Sequence, residues 1–176
     1  MAKNYWMVVL SPENFSITRK LGFKRQGLKA EHHRKAQRAG PGDRMLFFLS
    51  EQRRFAATAS VTSPSVVDPN SPWQREGKTG WGYKVDIQPN CVLAPEDYMD
   101  ANLIAPRMDY VRRWIPEEWY LAFQGNLHLL PKKDFQLIED EMQRLNRQKL
   151  RRPSGAPLNK QSNQNVETIP NQITFG

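Results

Sequence analysis

The architecture of this chain turns on the stretch Tyr5-Trp6-Met7-Val8-Val9-Leu10-Ser11-Pro12-Glu13-Asn14-Phe15. Tyr5 to Leu10 is short, aromatic and β-branched, the composition of a buried strand. Ser11 is a good N-cap and Pro12 fits the first helical position, so the chain passes straight from strand into helix. That helix is expected to run to about Lys20 and to stop at Gly22. Asn14 then stands just beyond the end of the strand, at the mouth of whatever the sheet encloses. A second string, Trp119-Tyr120-Leu121-Ala122-Phe123-Gln124-Gly125-Asn126-Leu127, repeats the pairing of carboxamides with aromatics. Amides hydrogen-bond the edge of a flat polar ring and aromatics stack on its face. In a basic chain the first such ring to consider is a nucleobase.

Outward from the first strand, Lys29 to Ala39 reads as a short, strongly basic helix, and Gly40-Pro41-Gly42-Asp43 as a turn. Arg44–Ser50 is a strand, with Phe55 to Thr62 as its hairpin partner. Ser63 to Gly80 holds Pro64, Pro69, Pro72 and Gly77, and no regular element is expected there. Trp81 to Gln88 alternates, with Trp81, Tyr83, Val85 and Ile87 on one face, and Pro89 should end it. Pro95–Ala101 and Pro106–Arg113 read as helical turns, and Leu127–Leu130 as a strand. Pro131 opens a helix with Phe135, Leu137, Ile138, Met142 and Leu145 at helical spacing. After Arg147 the composition turns to Arg, Asn, Gln, Pro and Ser. Residues 1–147 are therefore expected to form one domain and 148–176 a disordered, basic, Gln/Asn-rich tail. Short strands with helices in their connections, and no repeating strand–helix–strand unit, give an α+β pseudobarrel.

Charge is distributed unevenly along the 176 residues. Through Ala57 there are 12 Lys/Arg against 4 Asp/Glu; Thr58 to Gln143 reverses this, 8 against 13; from Arg144 onward the count is 6 against 1. Such an asymmetry is the electrostatic footprint of a nucleic-acid binder, although solubility alone also favours a basic surface. No apolar run approaches the roughly 18 residues that span a bilayer, and Tyr5 to Leu10 is too short for a signal-peptide core. A soluble, intracellular protein, cytoplasmic and without a membrane partner, is expected. The single cysteine, Cys91, excludes an intrachain disulfide and a Cys-rich zinc site. His32, His33 and His128 do not fall at the spacing of a helical metal site. Gly77-Lys78-Thr79 imitates the end of a phosphate loop, but Pro72 stands where its first glycine belongs. Glu139-Asp140-Glu141 reads as a solvated helix face. Neither catalytic residues nor a metal or cofactor is expected, and the protein is read as no enzyme.

Taken in order, Tyr5-Trp6, Ser11-Pro12-Glu13-Asn14-Phe15, Gly27, Pro41-Gly42-Asp43, Phe47-Phe48, Tyr83-x-Val85-x-Ile87-x-Pro89 and Trp119-x3-Phe123-x-Gly125 resemble the EVE domain. This family belongs to the PUA-like superfamily and is related to YTH domains. The resemblance covers about residues 4 to 145. It implies a PUA-like β-barrel or pseudobarrel of about five to six strands, with short helices in the connections, a C-terminal helix and a pocket for a modified base. Some members look like readers of modified cytosine, such as 5-methylcytosine, in DNA; YTH relatives read methyladenine in RNA. The chain departs from the pattern at Ala56-Ala57-Thr58-Ala59, where the family often has a glycine, and in its tail.

The expected base pocket comprises Ser11, Asn14, Gln26, Phe48, Trp81, Tyr83, Phe123, Gln124, Gly125 and Asn126. Each has a plainer reading. Ser11 caps a helix, Asn14 bonds nearby backbone, Gln26 lies on a loop surface, the aromatics fill the core, and Gly125 makes a turn. The expected phosphate contacts are Arg25, Lys29, His33, Arg34, Lys35 and Arg38, whose plainer reading is a solvated face. Burying one methyl group is worth about 0.8 kcal/mol, and stacking about 1–3 kcal/mol whatever the modification. Sharp selectivity must therefore come from polar groups, which puts the weight on Asn14 and Gln124. The function expected is non-catalytic recognition of a modified base, first a cytosine in DNA. The alternatives are a modified transfer or ribosomal RNA, or an adaptor acting through its tail.

Overall fold

A computed structural model describes residues 3–75 and 80–151. The opening stretch forms strand β1 (Tyr5–Leu10) and passes through Ser11 into helix α1 (Pro12–Lys20). Ser11 Oγ accepts the Asn14 N–H at 3.2 Å, and Gly22, with φ +70°, ends the helix. The chain continues through β2 (Arg25–Leu28), a 3-10 turn (Ala30–His32) and helix α2 (His33–Arg38) into β3 (Arg44–Leu49) and β4 (Arg54–Val61). Then come β5 (Val66–Val67), β6 (Tyr83–Val92), a 3-10 turn (Pro95–Asp97), β7 (Met99–Asp100) and α3 (Ala101–Ile104). Further 3-10 segments (Ala105–Arg107, Asp109–Val111 and Pro116–Phe123) lead to β8 (Leu127–Leu130) and helix α4 (Lys132–Arg151).

The main path of the sheet runs β2-β6-β4-β3-β1-β8, with β5 added on β6 and β7 on β4. β1 and β3 are parallel, and the other pairs are antiparallel. The parallel pair needs a crossover, which α1, β2 and α2 supply. The result is a curled, mixed half-barrel of the α+β class, the PUA-like pseudobarrel expected from the sequence.

Side chains of the central strands alternate between two cores, because successive residues of a strand point to opposite faces. Trp6, Val8 and Leu10 of β1 and Met45, Phe47 and Leu49 of β3 enter one cluster, with Phe15, Trp73 and Trp81. Met7, Leu46 and Phe48 enter the other, with Phe55, Phe123, Phe135, Ile138 and Met142. Burial on both faces is why these strands read as continuous apolar runs. Each fully buried large apolar side chain contributes roughly 1.5–3 kcal/mol.

Two buried carboxylates lock the loops to this frame. Asp43 accepts the Asn4 N–H at 3.0 Å, the Trp6 indole N–H at 2.9 Å and the Gly40 N–H at 3.1 Å, tying the turn before β3 to the start of β1. Asp134, in the first turn of α4, accepts the Asp109 and Tyr110 N–H groups at 2.9 and 2.8 Å. Arg44 and Glu139 form an ion pair between β3 and α4.

The structure corrects several local expectations. Val66–Val67 forms a short strand inside the segment expected to lack one, paired as Val66↔Lys84 and Val67↔Tyr83. Strand β6 starts after Trp81 and runs through Pro89, opposite Ala59, where the register with β4 shifts between Thr58 and Ala59. An irregularity of this kind tolerates a residue without an N–H. The basic helix is divided into the Ala30–His32 turn and α2. Gln26 is in strand β2 and fully buried, rather than on a loop surface. Helix α4 continues past Arg147 to Arg151. The rest of the tail assigned to 148–176, and Gly77-Lys78-Thr79, lie outside the described residues.

Candidate nucleic-acid interface

The long loop between β5 and β6 is held against α1 by a chain of hydrogen bonds. Asn14 Oδ1 accepts the Gln74 N–H at 2.7 Å, and Asn14 Nδ2 donates to the Gln74 carbonyl at 2.8 Å. The same carbonyl accepts the Trp81 indole N–H at 2.9 Å. The Trp73 indole donates to Thr18 Oγ1 at 2.9 Å, and Thr18 donates to Gln26 Oε1 at 2.6 Å. Gln26 Nε2 donates to the Gly27 carbonyl at 3.0 Å. Trp73 packs so closely on β2 that a Cβ on Gly27 would lie 2.6 Å from its Cε3. Only glycine allows that approach. The outcome is two nearly buried indoles, both held at their N–H, with the Trp73 ring also pressed against Gly27.

Both polar atoms of the Asn14 side chain thus carry the loop backbone, the plainer of its two readings extended from local to long-range partners. Ser11 caps α1. Asn126 is buried, accepting the Lys29 N–H at 3.1 Å and donating to the Val9 carbonyl at 2.8 Å, so it ties β1 to the start of the basic segment. Gln124 and Gly125 are exposed, and Gly125 adopts φ +88°, the turn that its residue type allows. Tyr83 packs at the margin of the first core. Phe48 and Phe123 meet edge to face, centroids 4.9 Å apart, in the second core. They do not join Trp81, because Phe48 sits one residue after Phe47 in β3 and faces the other side of the sheet. Beside them, the Tyr110 hydroxyl and His128 Nδ1 lie 2.6 Å apart, and burial pushes the Tyr110 phenol above its ordinary value.

Lys29 joins the basic segment to the indoles. Its ammonium lies 5.4 Å from the centroid of Trp81, within cation–π range. Arg25, His33, Arg34 and Arg38 lie along β2 and α2; Arg25 and Arg38 are exposed, and the Arg38 guanidinium lies 6.0 Å from the Trp6 ring. Lys35 is half-buried, its Nζ donating to the Leu127 carbonyl at 3.2 Å. A cleft of about 350 Å³ opens beside Lys29, lined by Ala30, Asp68, Ser71, Trp73, Trp81 and Gly82 among others. A larger cleft, about 610 Å³, lies away from this segment and brings Glu96, Asp97 and Glu141 together with Arg54, Arg107 and Arg144. Its carboxylates oppose a phosphate backbone, so size alone does not mark the site. Trp73, Thr18, Asp68 and Gln74 are absent from the set expected from sequence. The available signal is Trp73 itself, a large indole in a proline-rich loop that has to be buried somewhere.

Among the described residues, no group of three or more His, Cys, Asp or Glu is placed to hold a metal ion. No described helix is long and apolar enough to cross a membrane.

A curled half-barrel with two core layers and a loop folded over its first helix defines a PUA-like domain. The family model described as the EVE domain matches residues 4–108, and the chain belongs to the EVE domain family. No curated protein matches the sequence. Among solved structures, the YTH domain of Zygosaccharomyces rouxii MRB1 in complex with N6-methyladenosine RNA is 10% identical. It superposes with a TM-score of 0.58, over 80% of this chain and 86% of the other. The mmi1 YTH domain-containing protein in complex with RNA is also 10% identical, with a TM-score of 0.58 over 84% and 86%. Rpa0253 from Rhodopseudomonas palustris is 17% identical, with a TM-score of 0.53 over 81% and 94%. At these identities the likeness is one of fold.

Proposed function

We propose that this protein reads a modified base in nucleic acid and leaves it chemically unchanged. The base enters the cleft beside Trp73 and Trp81, while phosphates meet Arg25, Lys29, His33, Arg34 and Arg38. The observation that carries this reading is the contact of Lys29 with Trp81. It makes the charged segment and the aromatic cleft one continuous surface. Phosphate neutralisation supplies affinity that falls with salt, and the indoles supply the stacking. Asn14, Gln26, Asn126 and Gly27 hold the loop and strands in place rather than touching the base.

Family membership supports recognition of a modified base, and a modified cytosine in DNA is the first ligand to try. The YTH neighbours solved with RNA support the second reading, a modified base in RNA. In duplex DNA the base must also be extruded, at a cost of a few kcal/mol, which favours single strands or already weakened pairs. The test is binding at fixed salt to short DNA and RNA strands carrying one cytosine or adenine, unmodified, methylated or hydroxymethylated. A preference of about tenfold or more for one modified base supports the reading and names the ligand. Uniform, salt-sensitive binding across the panel would reduce the protein to a basic surface.

A further inference from the structure

We infer that Arg53, stacked on Tyr120, is a second phosphate contact, holding the base-bearing strand where it crosses the end of the sheet beyond Lys29. The inference rests on the reading of the cleft beside Trp81 as the base site. Arg53 closes the turn between β3 and β4 with φ +50°, a conformation that favours glycine or asparagine. The turn itself calls for no side chain there. The one present is exposed, and its guanidinium lies 4.2 Å from the centroid of the half-buried Tyr120 ring and 5.9 Å from that of Trp119. Neighbouring Arg54 is taken by Asp100 at 3.2 Å. Among the described residues no carboxylate pairs with Arg53, Glu51 of the same turn included. Tyr120 lies beyond the matched residues 4–108, so the family match does not imply this pair.

The turn after β3 and the residues before β8 share one end of the sheet, since β1 and β3 are parallel and β8 runs against β1. At that end the Ser50 N–H donates to the Leu10 carbonyl at 3.1 Å, and the Val9 N–H to the Asn126 carbonyl at 2.7 Å. Asn126 in turn accepts the Lys29 N–H. Tyr120 packs on the second core and Trp81 lies in the first, so the exposed Gln124 and Gly125 stand at the rim between the two faces. A strand with its base beside Trp81 and a phosphate at Lys29 has a path over Gly125 to Arg53. The N–H donors of a guanidinium lie in its own plane, so stacking on a ring leaves them available to a phosphate. A side chain already held on a ring also loses less freedom when it binds.

The test uses the full chain with short single strands at several salt concentrations. One is DNA with a single 5-methylcytosine and one is RNA with a single N6-methyladenine, each beside its unmodified twin. A further set replaces one flanking phosphate at a time by an uncharged methylphosphonate. Arg53→Gly relieves the positive φ, so it should melt close to the wild type or above it, and a loss of binding is then no loss of fold. It should weaken binding of modified and unmodified strands alike, about fivefold at about 0.1 M salt, and lower the salt slope by about 0.7. One methylphosphonate should weaken the wild type by a similar factor and leave Arg53→Gly unaffected. Wild-type affinity and slope in Arg53→Gly, or identical methylphosphonate profiles for the two proteins, overturns the role of Arg53 and leaves the base site standing. A wild type that binds the modified strands no better than their twins would instead overturn the base site, whatever Arg53 does.

Discussion

At the scale of single residues, the structure redistributes the work between amides and indoles. Asn14 has the chemistry for a base edge, but its Oδ1 and Nδ2 close on the backbone of Gln74 as a second strand would. It acts as a positioning residue. Asn14→Ala removes both contacts and leaves the Gln74 N–H and carbonyl seeking water. The expected cost is about 1–3 kcal/mol in a urea melt, together with loss of modified-base preference because Trp81 shares the same carbonyl. A variant that melts like the wild type and keeps its preference would contradict this role.

At the scale of elements, what is legible in the sequence depends on whether the deciding contacts are local. β1, the Ser11 cap, the Pro12 start and the Gly22 stop are local features, and they can be read residue by residue. β8 matches its expected span, and β3 nearly so, because an apolar run between turn residues has few alternatives. Gln26 escapes such a reading, because a polar residue before a glycine resembles a loop until Thr18 and Trp73 arrive from elsewhere in the chain. Pro89 misleads because its compatibility with β6 depends on an irregularity in β4, about thirty residues back at Ala59. Phe48 and Phe123 fall in the second core, on the other side of the sheet from Trp81, and composition does not tell which face of a doubly buried strand a ring occupies. The basic segment makes a prediction at this same scale. Arg34→Ala, alone or with Arg25→Ala, should weaken binding to modified and unmodified strands equally. It should also lower the slope of log K against log salt by about 0.7–0.9 for each phosphate no longer neutralised. A weakening confined to the modified strand would place these residues at the base instead.

At the scale of the whole molecule, one curled sheet separates two cores, and they have different tasks. The first, with Trp6, Phe15 and Phe47, carries the indoles of the cleft; the second is closed by α4 and the 3-10 segments before β8. Cys91 reports on the second. It is buried, it accepts from Asn146 Nδ2 of α4 at 3.2 Å, and burial raises its thiol above the ordinary value, helped by the charge of Glu139. Burial favours the neutral thiol, so its contribution to stability is complete below the ordinary thiol pKa and declines as pH rises through the raised one. Labelling of Cys91 by a thiol reagent at about pH 8 should therefore be slow and should accelerate in step with global unfolding in urea. Rapid labelling of the native protein would mean that α4 opens by itself.

The reading of the whole molecule comes down to whether the aromatic cleft, rather than the basic surface, chooses the ligand. The most direct measurement is a side-by-side titration of the wild type and Trp81→Ala with modified and unmodified strands at two salt concentrations, with urea melts of both proteins. Trp81→Ala should bind both strands alike while keeping the wild-type salt slope, since Lys29 and its neighbours remain. If the folded variant still favours the modified strand as strongly as the wild type does, the base is read elsewhere.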